Sequence, residues 1–337
     1  MIIVLKKDIS ESDLDRLQQK LRQTGCDFRL YENGEPLVRV LSKQNLLPKD
    51  FFLSQPGVQD VFRVTPGYRL SARQSPEQRW TLQISDIRLD ESHFTIIAGP
   101  CAVESDEQIA SIARRLSRTG VRFLRGGAFK PRTSPYNFQG LGDEGLRYLR
   151  KAADATGMKV VTEAVSSGDV AMVAEYADVI QIGTRNMQNF RLLKTVGKQK
   201  RPVLLKRGMN ATVEEFLLAA DYILQEGNSQ LILCERGIRT FETATRNTLD
   251  ISAVPLIKQL SCLPIFIDPS HASGKRSLIL PLSRAALAAG ADGLLIEVHE
   301  QAELAKSDGP QSINYSAFDE LLASLNGLAP LLSKKIV

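Results

Sequence analysis

Hydrophobic and polar positions along the chain follow two regimes. In the first 70 residues the apolar runs are short and separated by turn signals. Residues 2–6 form a β-branched run that predicts a strand. Residues 10–24 carry helical spacing, opened by Ser10 as a cap and closed by Gly25. Residues 27–31 alternate as a strand, Asn33-Gly34 is a hairpin turn signal, and residues 37–41 form the return strand. A short helix over residues 46–52 ends near Pro56-Gly57, and residues 58–64 supply a last strand. The order βαββαβ predicts a ferredoxin-like α+β domain over residues 1–70. Such a module serves either packing and oligomerisation or ligand sensing.

Residues 71–93 read differently. The stretch 70–79 is polar, contains Pro76 and predicts a linker, and residues 81–89 alternate as a hairpin suited to closing the bottom of a barrel. From residue 94 onward short apolar strands alternate with amphipathic helices. Strands are predicted to begin near Phe94, Arg122, Lys159, Val179, Pro202, Gln230, Pro264 and Gly293, with helices such as 107–118, 144–155 and 213–225 between them. Eight strands, each followed by a helix, predict an α/β fold of the (β/α)8 TIM-barrel type over residues 94–337. An open doubly wound sheet would want a Gly-rich dinucleotide loop after its first strand, and Gly99-Pro100-Cys101 is not one.

Composition fits this picture. Hydrophobic residues make up 43% of the 337 positions and charged residues 24%, as in a soluble protein with a large core. The net charge of +5 is dispersed, which argues against a nucleic-acid surface. No apolar run reaches the ~20 residues of a membrane span. The four cysteines, Cys26, Cys101, Cys234 and Cys262, are too scattered for a disulfide framework and fit a reducing, cytoplasmic setting.

Strand ends carry the chemistry. In barrel enzymes the active site lies at the C-terminal ends of the strands, and there a closed barrel gathers Arg125, Lys130, Arg185, Lys206 and Arg236. Five cations at one mouth repel each other and favour anionic ligands, phosphate and carboxylate above all. The same mouth collects Cys101, His271 and Glu297 from strands one, seven and eight, with Asp308 in the following loop. One thiolate, one imidazole and two carboxylates suit Mn, Fe, Co or Zn better than Ca or Mg. Spacing alone does not separate this set from buried structural residues. Of the other histidines, His299 shares a strand end with Glu297, and His93 precedes the first barrel strand.

Several motifs then stand out together: Gly99-Pro100-Cys101, Arg125-Gly126-Gly127, Lys130-Pro131-Arg132-Thr133-Ser134-Pro135-Tyr136, Phe138-Gln139-Gly140, Lys206-Arg207-Gly208, Asp268-Pro269-Ser270-His271 and Asp308-Gly309-Pro310-Gln311-Ser312. They closely resemble the 3-deoxy-D-arabino-heptulosonate-7-phosphate (DAHP) synthase family, in its class Iβ branch with an N-terminal ferredoxin-like domain. The resemblance covers the barrel almost continuously and rests on topology over residues 1–70.

The resemblance implies a transferase that condenses phosphoenolpyruvate (PEP) with erythrose 4-phosphate at the head of the shikimate pathway of aromatic amino-acid biosynthesis. By position it implies Cys101, His271, Glu297 and Asp308 as ligands of one divalent metal ion. Arg125, Lys130, Arg185, Lys206 and Arg236 would surround PEP, and Arg132, Thr133 and Ser134 would face the phosphate of the second substrate. Lys130 is the expected acid toward the aldehyde oxygen, which the metal polarises. The attacking water would come from the metal or be held by Glu163. In related enzymes the N-terminal domain binds aromatic amino acids, so feedback inhibition by tyrosine or phenylalanine is expected, as is a homo-oligomer, dimer or tetramer. The nearest rival, 3-deoxy-manno-octulosonate-8-phosphate synthase, usually carries an Asn in its Lys-Ala-Asn-Arg motif where this chain has Lys130-Pro131-Arg132. A Schiff-base aldolase using Lys130 or Lys206, and a non-catalytic regulatory barrel, are further alternatives.

Overall fold

The computed structural model describes residues 1–31, 36–40, 48–62, 67–75, 77–131 and 134–337. The expected Asn33-Gly34 turn, and Arg132 and Thr133 of the site, lie outside the described residues. The chain divides into two compact units, Met1–Gly67 and Tyr68–Val337.

In the first unit β1 (Ile2–Leu5), α1 (Glu11–Gln23), β2 (Phe28–Tyr31), β3 (Leu37–Val40), α2 (Lys49–Leu53) and β4 (Val58–Phe62) follow the expected order. The strands form one antiparallel sheet in the order β2-β3-β1-β4. Ile3, Leu5, Val38, Val40 and Val61 pack with Leu17, Leu21 and Phe52 of the helices. Ser10 caps α1, its side chain accepting the Asp13 N–H. The second helix begins at Lys49 because Pro48 stands at its N-cap, where a missing N–H costs nothing.

The second unit opens at Tyr68, and residues 70–75 and 77–79 belong to the stretch read as a linker. Asp221 accepts the backbone N–H groups of Arg69, Leu70 and Ser71, and Arg73 donates to the carbonyls of Lys258, Gln78 and Ser261. The hairpin β5 (Thr81–Ile84) and β6 (Ile87–Asp90) follows. Then come β7 (His93–Gly99), α3 (Asp106–Ser117), β8 (Phe123–Arg125), α4 (Asp143–Thr156), β9 (Lys159–Glu163), α5 (Val170–Tyr176), β10 (Val179–Ile182), α6 (Phe190–Gly197), β11 (Val203–Lys206), α7 (Val213–Gln225), β12 (Leu231–Glu235), α8 (Ala253–Leu260), β13 (Ile265–Ile267), α9 (Pro269–Ser273), α10 (Arg276–Ala288), β14 (Gly293–Glu297) and α11 (Tyr315–Leu328). Strands β7 to β14 pair in parallel in sequence order, and β14 pairs back onto β7, closing the barrel. A two-residue strand that the sequence pattern did not announce, β15 (Lys335–Ile336), adds to the start of β7.

Strand alternation sorts the side chains into layers. Outward residues such as Ile96, Leu124, Val160, Ile180, Leu205, Leu233 and Ile296 pack with the helices. Inward residues Ile97, Phe123, Val161, Val179, Leu204, Ile232, Phe266 and Leu295 pack with Trp80, Leu82, Ile84, Ile87 and Leu89 of the hairpin, which plugs that end of the barrel. Two residues further along each strand the inward positions change character. They are Arg125, Glu163, Gln181, Lys206, Asp268 and Glu297, except for Gly99 on β7 and Cys234 on β12, with Arg236 just beyond β12. A dry apolar layer therefore carries a charged layer directly above it.

Candidate active site

The charged layer forms the floor of a cavity of about 300 Å³, lined among others by Arg125, Lys130, Glu163, Arg185, Lys206, Arg236, Arg246, His271 and Asp308. Four residues cluster at its edge. Cys101, His271, Glu297 and Asp308 each offer one donor atom, all within 4.8 Å of one another, a possible metal site.

The surroundings prepare these atoms. Asp268 caps α9, accepting the His271 N–H at 2.9 Å and the Nδ1–H at 2.7 Å. Burial alone would raise the Asp268 carboxyl, but His271 and Lys206 hold it well below the usual carboxylate range. It is therefore the acceptor, Nδ1 carries the proton, and the lone pair of Nε2 is left facing Glu297 at 3.3 Å and Asp308 at 3.8 Å. Burial also lowers the His271 pKa and favours the neutral ring. Burial works against Glu297 and Asp308 as anions, yet their neighbours outweigh it: His271 and Arg125 lower Glu297, and His271 and Arg246 bring Asp308 to about 2. The Cys101 thiol goes the other way, pushed up to about 11 by burial and by Glu297 despite Lys130 and Arg125 nearby. Asp308 holds a left-handed backbone conformation, φ 52°, uncommon outside glycine and better tolerated by Asp than by most residues. One imidazole lone pair, two ionised carboxylates and a thiol that can ionise make a donor set that fits a divalent ion of the Mn, Fe, Co or Zn class.

Lys130 reaches this cluster. Its Nζ donates to the Cys101 carbonyl at 2.7 Å and to Sγ at 3.0 Å. Gly127 makes room for it, since a Cβ there would lie 2.9 Å from both Nζ and the Cys101 carbonyl oxygen. Glu163 is lodged similarly. Gln181 Nε2 donates to its Oε2 at 2.9 Å, and a Cβ on Gly183 would fall 2.1 Å from its Oε1.

The five cations are not equivalent. Arg125 is bonded to Glu297 at 2.8 Å, and Lys206 to Asp268 at 2.5 Å, each pair almost fully buried. Part of the charge that the sequence argument assigned to bound anions is thus balanced from within the protein. Arg185 is exposed and makes no ion pair among the described residues. Arg236 is only 4% exposed, yet among the described residues it donates only to the carbonyls of Gly237 at 3.4 Å and His271 at 3.2 Å. A buried guanidinium with two long bonds to neutral oxygens, on a cavity wall, is under-compensated until an anion arrives. Ser134 does not line the cavity, whereas Pro131 and Asn137 of the same loop do.

The sequence profile of the DAHP synthetase I family matches residues 80–333. The chain belongs to this family. It is 50% identical over 337 residues, all of both chains, to the phospho-2-dehydro-3-deoxyheptonate aldolase of Thermotoga maritima. The crystal structure of a phospho-2-dehydro-3-deoxyheptonate aldolase (DAHP synthase) from that organism superposes with a TM-score of 0.80 at 49% identity, covering 100% of this chain and 99% of that one. A truncated form of the T. maritima 3-deoxy-D-arabino-heptulosonate 7-phosphate synthase gives 0.75 at 53% identity over 80% of this chain and 98% of its own. A 2-dehydro-3-deoxyphosphooctonate aldolase of Acidithiobacillus ferrooxidans is 32% identical over 69% of this chain and 88% of its own.

Sequence reasoning missed Gln181, Asn137 and Arg246 as lining residues. Gln181 was within reach, since it sits two positions after inward Val179. Arg246 and Asn137 lie in loops without periodicity, where no local signal points to the cavity.

Proposed function

We propose that this chain condenses PEP with D-erythrose 4-phosphate and water to give DAHP and inorganic phosphate, the first step of the shikimate pathway. The observation that carries the reading is the buried, under-compensated Arg236 on the wall of a cation-lined cavity with the Cys101, His271, Glu297 and Asp308 cluster at its edge. Full-length identity of 50% to the heptonate aldolase, against 32% over part of the chain to the octonate aldolase, supports the four-carbon aldehyde. So does Lys130-Pro131-Arg132 in place of the rival motif.

In this reading Arg125, Arg185, Lys206 and Arg236 bind and orient the phosphate and carboxylate of PEP, and Arg132, Thr133 and Ser134 take the phosphate of the aldehyde substrate. As C3 of PEP bonds to the aldehyde carbon, charge gathers on the aldehyde oxygen, and Lys130 Nζ delivers a proton there. C2 is left electron-poor. Glu163, oriented by Gln181, takes a proton from the water whose oxygen bonds to C2. The bond from C2 to the phosphate oxygen then breaks, and the phosphate leaves while held by the arginines. Cys101, His271, Glu297 and Asp308 would hold a divalent ion, which when bound supplies Lewis acidity toward the aldehyde oxygen.

Residues 1–70 are proposed as the module through which tyrosine or phenylalanine inhibits, supported by their βαββαβ topology. A dimer or tetramer in the cytoplasm completes the proposal. The scattered thiols Cys101, Cys234 and Cys262 support a reducing compartment, and among the described residues no helix is long and apolar enough to cross a membrane.

The test is a phosphate-release assay with PEP, comparing erythrose 4-phosphate with arabinose 5-phosphate, with and without a chelator. Release with the four-carbon sugar, lost on chelation, is expected. Preference for the five-carbon sugar would overturn the substrate assignment, and borohydride-trapped protein with full activity in chelator would replace the mechanism. Activity indifferent to saturating tyrosine and phenylalanine would remove the regulatory role.

A further inference from the structure

Arg246 lines the cavity but belongs to no motif that marked the site, and its contacts converge on the ligand cluster. Its Nη1 donates to Asp308 Oδ1 at 3.3 Å and to Gln311 Oε1 at 2.8 Å. Gln311 in turn donates from Nε2 to Glu297 Oε2 at 2.5 Å. The Arg246 N–H is bonded to the carbonyl of Ser273, the last residue of the helix that carries His271, at 3.0 Å. One residue from the loop after β12 therefore touches Asp308, reaches Glu297 through Gln311, and is anchored to the helix of His271.

We propose that Arg246 is a positioning residue for the metal-ligand cluster, acting on Asp308 directly and on Glu297 through Gln311. The two carboxylates repel each other, and Arg125 restrains Glu297 from its Oε1 side only. Arg246 and Gln311 supply the restraint on Oε2 and on Asp308 Oδ1. Held this way, Asp308 Oδ2 and Glu297 Oε1 stay turned toward His271 Nε2.

The inference rests on reading the cluster as a metal site, and its test separates the two. Zn²⁺ and Co²⁺ affinities of the full-length protein are measured by competition with a chelator, together with the visible spectrum of the Co²⁺ form. A cation acting by charge alone would oppose the ion, so Arg246→Met would then bind metal more tightly. Positioning predicts the reverse, a loss of about tenfold or more, of the size expected when a partner that orients metal ligands is removed. The Co²⁺ ligand-field bands should shift as well. Both hydrogen bonds leave the same nitrogen, so Arg246→Lys, whose single ammonium nitrogen carries three donor hydrogens, should recover most of the affinity. Gln311→Leu should weaken binding, and combining it with Arg246→Met should cost less than the sum of the two. Wild-type protein that binds neither ion would overturn the metal reading, and this proposal with it. Metal-binding wild type alongside Arg246→Met of unchanged or higher affinity would overturn the positioning role alone.

Discussion

Metal uptake at the Cys101 cluster should release one proton, and the structure names its source. In the metal-free protein His271 is neutral above its lowered pKa, and Glu297 and Asp308 are ionised throughout the neutral range. The Cys101 thiol, at about 11, is still protonated. In the proposed site its thiolate is the metal ligand, so binding would remove that proton. At pH 7.5 the gap to about 11 is about 3.5 units, an opposing free energy of about 5 kcal/mol at roughly 1.4 kcal/mol per unit. The sign follows directly. Raising the pH toward the thiol pKa reduces this cost, so the Kd for Zn²⁺ should fall about tenfold per pH unit between pH 7 and 9. Below the pKa of His271 the slope should steepen, because a second proton is then displaced.

Two measurements check this. Chelator competition across that pH range gives the slope. Calorimetry in buffers of different ionisation enthalpy counts the protons released. Cys101→Ser should bind more weakly and lose most of the slope, since a serine hydroxyl does not ionise in this range. A wild-type proton count near zero, or a Cys101→Ser protein that retains the full slope, would refute the assignment of Cys101 as the titrating ligand.

Lys130→Met should lower turnover by about a hundredfold or more while PEP affinity changes far less, read by single-turnover phosphate release beside equilibrium binding; a pure affinity loss would remove its acid role. Gly127→Ala should displace the Lys130 ammonium, because the new Cβ would lie 2.9 Å from Nζ, and should cost roughly 10- to 100-fold in turnover. Native turnover with unchanged melting would show that Lys130 does not need this seat. Leu89→Ala removes a fully buried side chain from the barrel plug and should destabilise the protein by ~2–5 kcal/mol in denaturant unfolding, with PEP affinity retained.

The barrel was legible because period-2 alternation and strand spacing are local properties. The predicted strand starts at Lys159, Val179 and Gly293 coincide with the observed ones, and Phe94, Arg122, Pro202, Gln230 and Pro264 fall one residue away. Arg125, Lys206 and Glu297 stood out as charges ending apolar runs. What local pattern does not carry is which charges meet. Arg125 and Glu297 are 172 positions apart and Lys206 and Asp268 62, yet each forms a buried pair. Counting them as unpartnered overstated the pull on anions. Arg246 sits in a polar loop that reads as any other, and only the closed barrel brings it to Asp308. The strand β15 is too short for any periodicity to mark it.

The order of charges around the barrel then says more than their number. Passing from β10 to β12, the mouth presents Arg185, Lys206 and Arg236, and from β13 through β14 it presents Asp268, Glu297 and then Asp308. Because β14 pairs back onto β7, the acidic arc runs on to Cys101, and Lys130 from the loop after β8 lies against it. The ring is polarised, with a cationic arc suited to phosphate and carboxylate and an arc of ligand types suited to a cation. Among the described residues three ion pairs join them, one of them Arg125 to Glu297. Lys206 bonds Asp268 where β11 and β13 flank β12, and Arg246 bonds Asp308 from the loop after β12. A substrate anchored by its anionic groups on the first arc would present its uncharged reacting carbons toward the second, where Lys130 waits. That separation lets one small cavity hold an anion site beside a cation site, each offset only in part by the ion pairs between them.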